Sequence, residues 1–195
     1  MAFGEPAVRA RDFVKIPARF PSRPADLNIL FLRQAKDLLR SIDDRAYRSA
    51  TDLLPGGTAG KHLRHALDFH AALLCGTRTG RVDYARRRRD GVVEVSRAAA
   101  LAALESIERR LALLGPADFD RPLVVKGEES ADADGRETWS RSTVGRELEA
   151  VLSHTIHHYA LMAVILRAHG IAPAPSFGVS PATLRLRDRV PLRAV

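Results

Sequence analysis

Three histidines fall on one stretch, Glu147 to Leu166, which reads ELEAVLSHTIHHYALMAVIL. Apolar residues at Val144, Leu148, Val151, Leu152, Ile156, Met162, Ile165 and Leu166 recur with a helical period. At about 100° per residue, His158 sits near the middle of that apolar arc and His154 about 40° to one side. His157 points towards the rim. Residues four apart on a helix are neighbours on one face, so His154 and His158 present two imidazoles from adjacent turns to the interior. One helix thereby supplies two nitrogens at the spacing a metal ion takes. The competing reading is a pair of core histidines, each satisfied by a hydrogen bond; without partners, burying both rings costs several kcal/mol. Glu147 lies on the same face two turns earlier. It is a candidate general base or a partner for a ligand, set against a plain glutamate near a helix start.

A third nitrogen has to come from elsewhere. The stretch TAGKHLRHALDFHAALL, from Thr58, carries His62, His65 and His70. Its apolar arc includes Leu63, Ala66, Phe69 and Leu73. His62 lies within that arc and His65 borders it about 60° away, so either can reach the interior. Asp68, on the His65 side, is a candidate to orient a ligand imidazole. Downstream, Arg86, Arg87, Arg88 and Arg89 form a basic run. Such a run is commonly a solvated surface; the sharper reading is a clamp for a carboxylate or phosphate, which the arginine fork matches.

Four long helical patterns position these residues. The first runs from about Leu27 to Ala50 with Asp26 as a cap, and Leu54-Pro55-Gly56-Gly57 breaks it. The second opens at Thr58 and ends near Leu74, with Gly76 as a C-cap candidate. The third covers about Val92 to Leu114 and stops at Gly115-Pro116. The fourth is the histidine helix, capped by Ser142 or Thr143. Between the last two, Leu123-Val124-Val125 and Glu137-Thr138-Trp139 flank an acidic loop at 127–135, the pattern of a small hairpin, with Trp139 placed to cap the helices. Residues 1–24 read as an extended or disordered arm, 25–170 as the helical domain, and 171–195 as an extended basic tail with a short turn from Pro181.

The net charge of +8 suggests nucleic acid, but its distribution argues otherwise. Residues 1–24 carry five basic and two acidic side chains, and 171–195 four basic and one acidic. Each end is +3, which leaves the body at only +2. No nucleic-acid-binding motif is present. The single cysteine, Cys75, excludes an internal disulfide framework. No apolar run reaches transmembrane length. The expectation is a soluble, cytoplasmic protein that binds neither nucleic acid nor membrane.

With these residues in view, the segment SRSTVGRELEAVLSHTIHHYALMAVIL, together with HLRHALDF upstream, resembles the DinB/YfiT-like superfamily of metal-binding four-helix bundles. VDYARRRRD and FGVSPATLR are similar to connecting pieces of one bacterial branch. The resemblance covers roughly residues 25–187. It implies an all-α four-helix bundle, up-down-down-up, with a small β-hairpin or loop insertion before the last helix, and often a homodimer. It implies a metal held by His154, His158 and one second-helix histidine. The family motif there resembles H-[LI]-A-D, which matches His65-Ala66-Leu67-Asp68 and so selects His65. Members of the branch often carry histidine where Phe69 stands; here His70 is shifted by one. The functional expectation is an enzyme dependent on zinc, nickel or iron. It would be a thiol-dependent S-transferase, or would carry out a hydrolase-type reaction on a small electrophile, and a low-molecular-weight thiol is a possible cofactor. Arg86 to Arg89 would then hold an acidic part of thiol or substrate. The alternatives are a non-catalytic metal-binding or stress-related bundle, and a helical interaction protein whose histidines are satisfied core residues.

Overall fold

The computed structural model describes residues 21, 23–128 and 136–189. The expected arm up to residue 20, most of the acidic loop at 127–135 and the end of the tail lie outside the described residues. Among those described, the chain is mostly helical, with eight helices and two small sheets. The helices are α1 (Pro24–Ser41), α2 (Asp44–Arg48), α3 (Ala59–Gly76), α4 (Gly91–Val95), α5 (Arg97–Ala112), α6 (Pro116–Phe119), α7 (Val144–Ala168) and α8 (Pro181–Arg189). The strands are β1 (Ala50–Thr51), β2 (Leu54–Thr58), β3 (Arg81–Asp83), β4 (Pro122–Lys126) and β5 (Ser140–Thr143). The four long helices pack on one another, α3 against α7 and α5, and α1 against α5 and α7. Phe31, Leu32, Leu39, Leu63, Leu104, Leu148 and Met162 fill the space between them, all under 2% exposed.

Two long helices expected from the pattern are each divided. The first ends at Ser41: Ile42 is extended, and Asp43 accepts from Ala46 N at 2.7 Å to start α2. A side chain that caps a new helix competes with continuation of the old one. Its start also differs, because Pro24 occupies the first helical position and no side chain caps α1. Asp26 faces Arg23 at 3.6 Å instead. The third is broken at Ser96, which is extended and whose Oγ accepts from Ala99 N at 3.2 Å. The break lets Arg97 reach back, its Nη1 donating to the carbonyl oxygens of Leu39, at 2.8 Å, and Ile42. These carbonyls, at the end of α1, lack helical partners, so the guanidinium satisfies what the helix end leaves open.

The caps of the two histidine helices are as expected. Thr58 accepts from Lys61 N at 3.0 Å and Thr143 from Arg146 N at 3.3 Å. The turn that breaks the first pattern is itself strand β2, paired antiparallel with β1. The expected hairpin exists, but its second arm is β5, not 137–139. β5 pairs antiparallel with β4, Leu123 opposite Ser142 and Val125 opposite Ser140. Thr143 is extended as the cap of α7 and Val144 N donates to Arg121 O at 3.1 Å, so the helix start sets the register. β3, inside the arginine-rich loop, adds a third strand parallel to β4. Trp139 packs under Arg81, whose guanidinium lies 4.2 Å from the ring centre. The segment after Gly170 is not extended throughout. Phe177 stacks on Tyr159 at 4.8 Å and α8 follows. No helix among the described residues is long and apolar enough to cross a membrane.

Candidate metal centre

Helices α3 and α7 bring four imidazoles together. His158 Nε2 lies 3.1 Å from His154 Nε2, as the four-residue spacing requires. From α3, the His65 ring centre is 4.5 Å from that of His158 and 4.9 Å from that of His154. His65, His154 and His158 each offer one nitrogen, all within 4.8 Å of one another. Nitrogens about 2.0–2.1 Å from a tetrahedral ion stand about 3.4 Å apart, so small side-chain adjustments close the set. The donors are all imidazoles, a set suited to zinc, nickel or iron. His62, one turn before His65, is the fourth ring: its Nδ1 lies 2.9 Å from His158 Nδ1. His157 is exposed and meets only the outer side of the group, its ring centre 5.2 Å from that of His158.

The rings are held neutral. Burial depresses the basicity of His158 to a pKa of about 2, and the neighbouring His154, His65 and His62 add to it. Burial and the Arg87 charge bring His65 to about 4. Burial also lowers His62 and His154. Metal binds only neutral imidazole nitrogen, so at neutral pH the lone pairs are already available. An open cavity of about 410 Å³ adjoins the cluster, lined by Pro55 and Gly57 of β2, Lys61, His62 and His65 of α3, and His158.

The surroundings differ from the expectations in three respects. Glu147 is buried, but away from the cluster. Tyr84 Oη donates to its Oε2 at 2.8 Å and Ser142 Oγ to its Oε1 at 2.7 Å. Tyr84 stacks on Phe69, and Phe69 on His154, so the carboxylate reaches the rings only through two aromatic side chains. That geometry gives it no proton to take from a substrate at the cluster. Asp68 accepts from Arg64 at 2.9 Å and does not orient a ring; among the described residues the carboxylate nearest His65 is Glu128, 3.7 Å from Nε2. The four arginines do not form one clamp. Arg86 and Arg88 have side chains 80% and 88% exposed, against 4% for Arg87, and Arg89 faces solvent. Arg87 alone turns inward, donating to Tyr84 O at 2.9 Å and to His65 Nδ1 at 3.1 Å, pairing with Glu128 and lying over Phe69.

Sequence reasoning missed the His62–His158 contact and the Arg87–Glu128 pair. The first had a signal, since His62 lies within the apolar arc of its helix. The second had none, because nothing distinguishes Arg87 among four consecutive arginines. The shift from position 69 to 70 has a clear structural outcome: His70 faces α1, where its Nε2 meets Asn28 Oδ1 at 2.9 Å.

No family model matches the chain. A segment of 104 residues is 31% identical to FK506-binding protein 5 of Rhizopus delemar, covering 53% of this chain. The match spans 27% of that protein's length, too little to assign a family.

Proposed function

We propose that this protein is a metal-dependent enzyme of the DinB/YfiT-like kind, with α1, α3, α5 and α7 as an up-down-down-up bundle and His65, His154 and His158 as the metal ligands. The observation that carries the reading is the convergence of three neutral imidazoles beside an open cavity. Three protein nitrogens leave a coordination position for a substrate, the arrangement of catalytic rather than structural sites. An ion there supplies Lewis acidity, favouring the deprotonated form of a thiol or water. The chain's own contribution is to fix the rings: Phe69 packs against His154 and His65, and burial keeps the nitrogens unprotonated. Of the arginine run only Arg87 reaches the rings, and we assign to it the acidic group of a thiol or small electrophile; Lys61 and Arg64 are the cations that line the cavity itself. Family resemblance extends the proposal to a homodimer, and the single cysteine, Cys75, to a reducing, cytoplasmic setting.

Elemental analysis of protein purified without an affinity tag tests it. One divalent ion per chain is expected, and His158→Ala should lose it, with affinity down by at least about a hundredfold, while circular dichroism keeps its helical signal. Full metal content in His158→Ala would sink the assignment. Turnover with small thiols and activated esters separates an enzyme from a non-catalytic metal-binding bundle. A second reading has its own observation. The contacts His62–His158 and His158–His154 let three rings satisfy one another without metal, and that reading expects no metal in the untagged protein.

A further inference from the structure

We infer that His62 is a positioning residue for the metal centre, setting which nitrogen of His158 is free to bind the ion; this rests on the metal-site reading above. His158 is held at both ring nitrogens, Nδ1 by His62 Nδ1 at 2.9 Å and Nε2 by His154 Nε2 at 3.1 Å. A neutral ring carries one proton, so the three rings have two self-consistent arrangements. In one, His62 Nδ1–H donates to His158 Nδ1 and His158 Nε2–H donates to His154 Nε2. That closes His158 Nε2 to a metal. In the other, His158 Nδ1–H donates to His62 Nδ1, and the lone pair on His158 Nε2 faces His154 and His65. Only the second is competent to bind.

Passing between them moves protons without changing any ring's charge. His158 exchanges an Nε2 proton for one on Nδ1 and His62 an Nδ1 proton for one on Nε2, which solvent reaches only when the ring contact opens. His154 Nε2 then donates to His158 Nε2 until an ion takes both lone pairs, with the His154 proton on Nδ1. His62 Nε2 is buried with no hydrogen-bond partner among the described residues. A Cβ on Gly57 would stand 3.1 Å from that nitrogen and 3.1 Å from Leu54 O, so the β2 turn packs against the ring, yet no hydrogen bond forms there. In the binding-competent arrangement that nitrogen carries the proton, and leaving a buried donor unpaired costs about 1–3 kcal/mol, which ion binding has to offset. The contact with His158 is the compensation visible on this side chain. Histidine ligands characteristically donate their second N–H to an acceptor, and loss of that acceptor weakens metal binding about 10–100-fold.

The test compares zinc affinity, by competition with a chelating dye, in wild type, His62→Phe and His62→Gln. His62→Phe keeps ring bulk without an acceptor; His62→Gln restores an acceptor oxygen. Expected are one zinc per chain in all three, a dissociation constant raised about 10–100-fold in His62→Phe, and recovery of most of that loss in His62→Gln. In zinc-loaded wild type, nitrogen-15 NMR should find the His158 proton on Nδ1. A wild-type dissociation constant in His62→Phe overturns the inference, as does a His62→Gln no tighter than His62→Phe, or an Nε2 proton on His158. If His62→Phe loses zinc while His65→Phe keeps it, His62 is itself a ligand and the inference is again wrong. A wild type that binds no zinc, or a His158→Ala variant that binds it fully, instead overturns the metal-site reading beneath.

Discussion

Between Arg87 Nη2 and His65 Nδ1 the distance is 3.1 Å, and a guanidinium can only donate, so His65 turns its Nδ1 lone pair to Arg87 and its proton, on Nε2, towards Glu128. An ion that takes His65 Nδ1 must displace Arg87. The guanidinium and the cation also repel, by a few kcal/mol at about 5 Å with an effective dielectric near 20, and the paired Glu128 offsets most of that. Replacing Arg87 by Met removes both the competing donor and the charge, and leaves Glu128 unopposed beside the site. Arg87→Met should therefore bind zinc about tenfold more tightly than wild type. Weaker binding in the variant would mean that Arg87 holds His65 in place rather than capping it. If Arg87 meets an acidic part of the substrate, the same variant should lose turnover despite its tighter ion, a split that metal content alone does not produce.

At the level of elements, the histidine helix was legible because two regularities coincide in it. The apolar period of Val144 to Leu166 fixes the buried face, and the four-residue spacing sets the His154–His158 contact. The α3 start was legible too, since Thr58 caps it as its type predicts. The breaks at Ile42 and Ser96 were not. Both lie inside continuous apolar patterns, and both serve long-range contacts, Arg97 with the end of α1 being the clearest. β3 escaped notice because three residues give no period, and its partner β4 is some forty positions away. Close approach between elements is equally silent in sequence. Gly60, in the first turn of α3, is an example: a Cβ there would stand 2.0 Å from Glu94 O of α4 and 3.0 Å from a ring carbon of Tyr47 in α2. Alanine would gain about 1 kcal/mol of helix propensity. The clash is with backbone, which cannot swing aside, and overpacking of this kind costs about 1–3 kcal/mol. Gly60→Ala should be destabilised on balance, and a melting temperature equal to or above wild type would show that α4 is free to retreat.

Across the whole molecule, one polar contact joins three of the long helices. Asn28 of α1 donates to Pro24 O at 2.8 Å and to Leu148 O of α7 at 3.0 Å, and its Oδ1 faces His70 of α3. Those two donations fix the amide, so Oδ1 needs a proton from His70 Nε2. His70 Nδ1 lies 2.9 Å from Ala66 O, a carbonyl that already accepts a helical N–H four residues on. A neutral ring has one proton for two acceptors: on Nε2 it serves Asn28 Oδ1 and leaves Nδ1 bare against Ala66 O, which already has its helical partner. Burial holds His70 in that form, with a pKa of about 4. The unfolded chain has an ordinary histidine, near 6.5. With the folded value below the unfolded one, the unfolded state binds more protons between them, so stability rises with pH across that window. The His70 contribution is fully present above about pH 6.5 and is lost as pH falls towards 4. A gap of about 2.5 units corresponds to on the order of 3 kcal/mol. Burial lowers His65 and His158 in the same direction, so chelator-treated wild type should lose stability steeply from pH 6.5 to 4.5. Denaturant titrations at several pH values measure this, with His70→Leu as the comparison. The variant starts less stable at pH 7, because Asn28 Oδ1 loses its donor, but its stability falls less over the window. Equal slopes for the two proteins would mean that His70 is charged in the folded protein, donating to Asn28 and Ala66 at once.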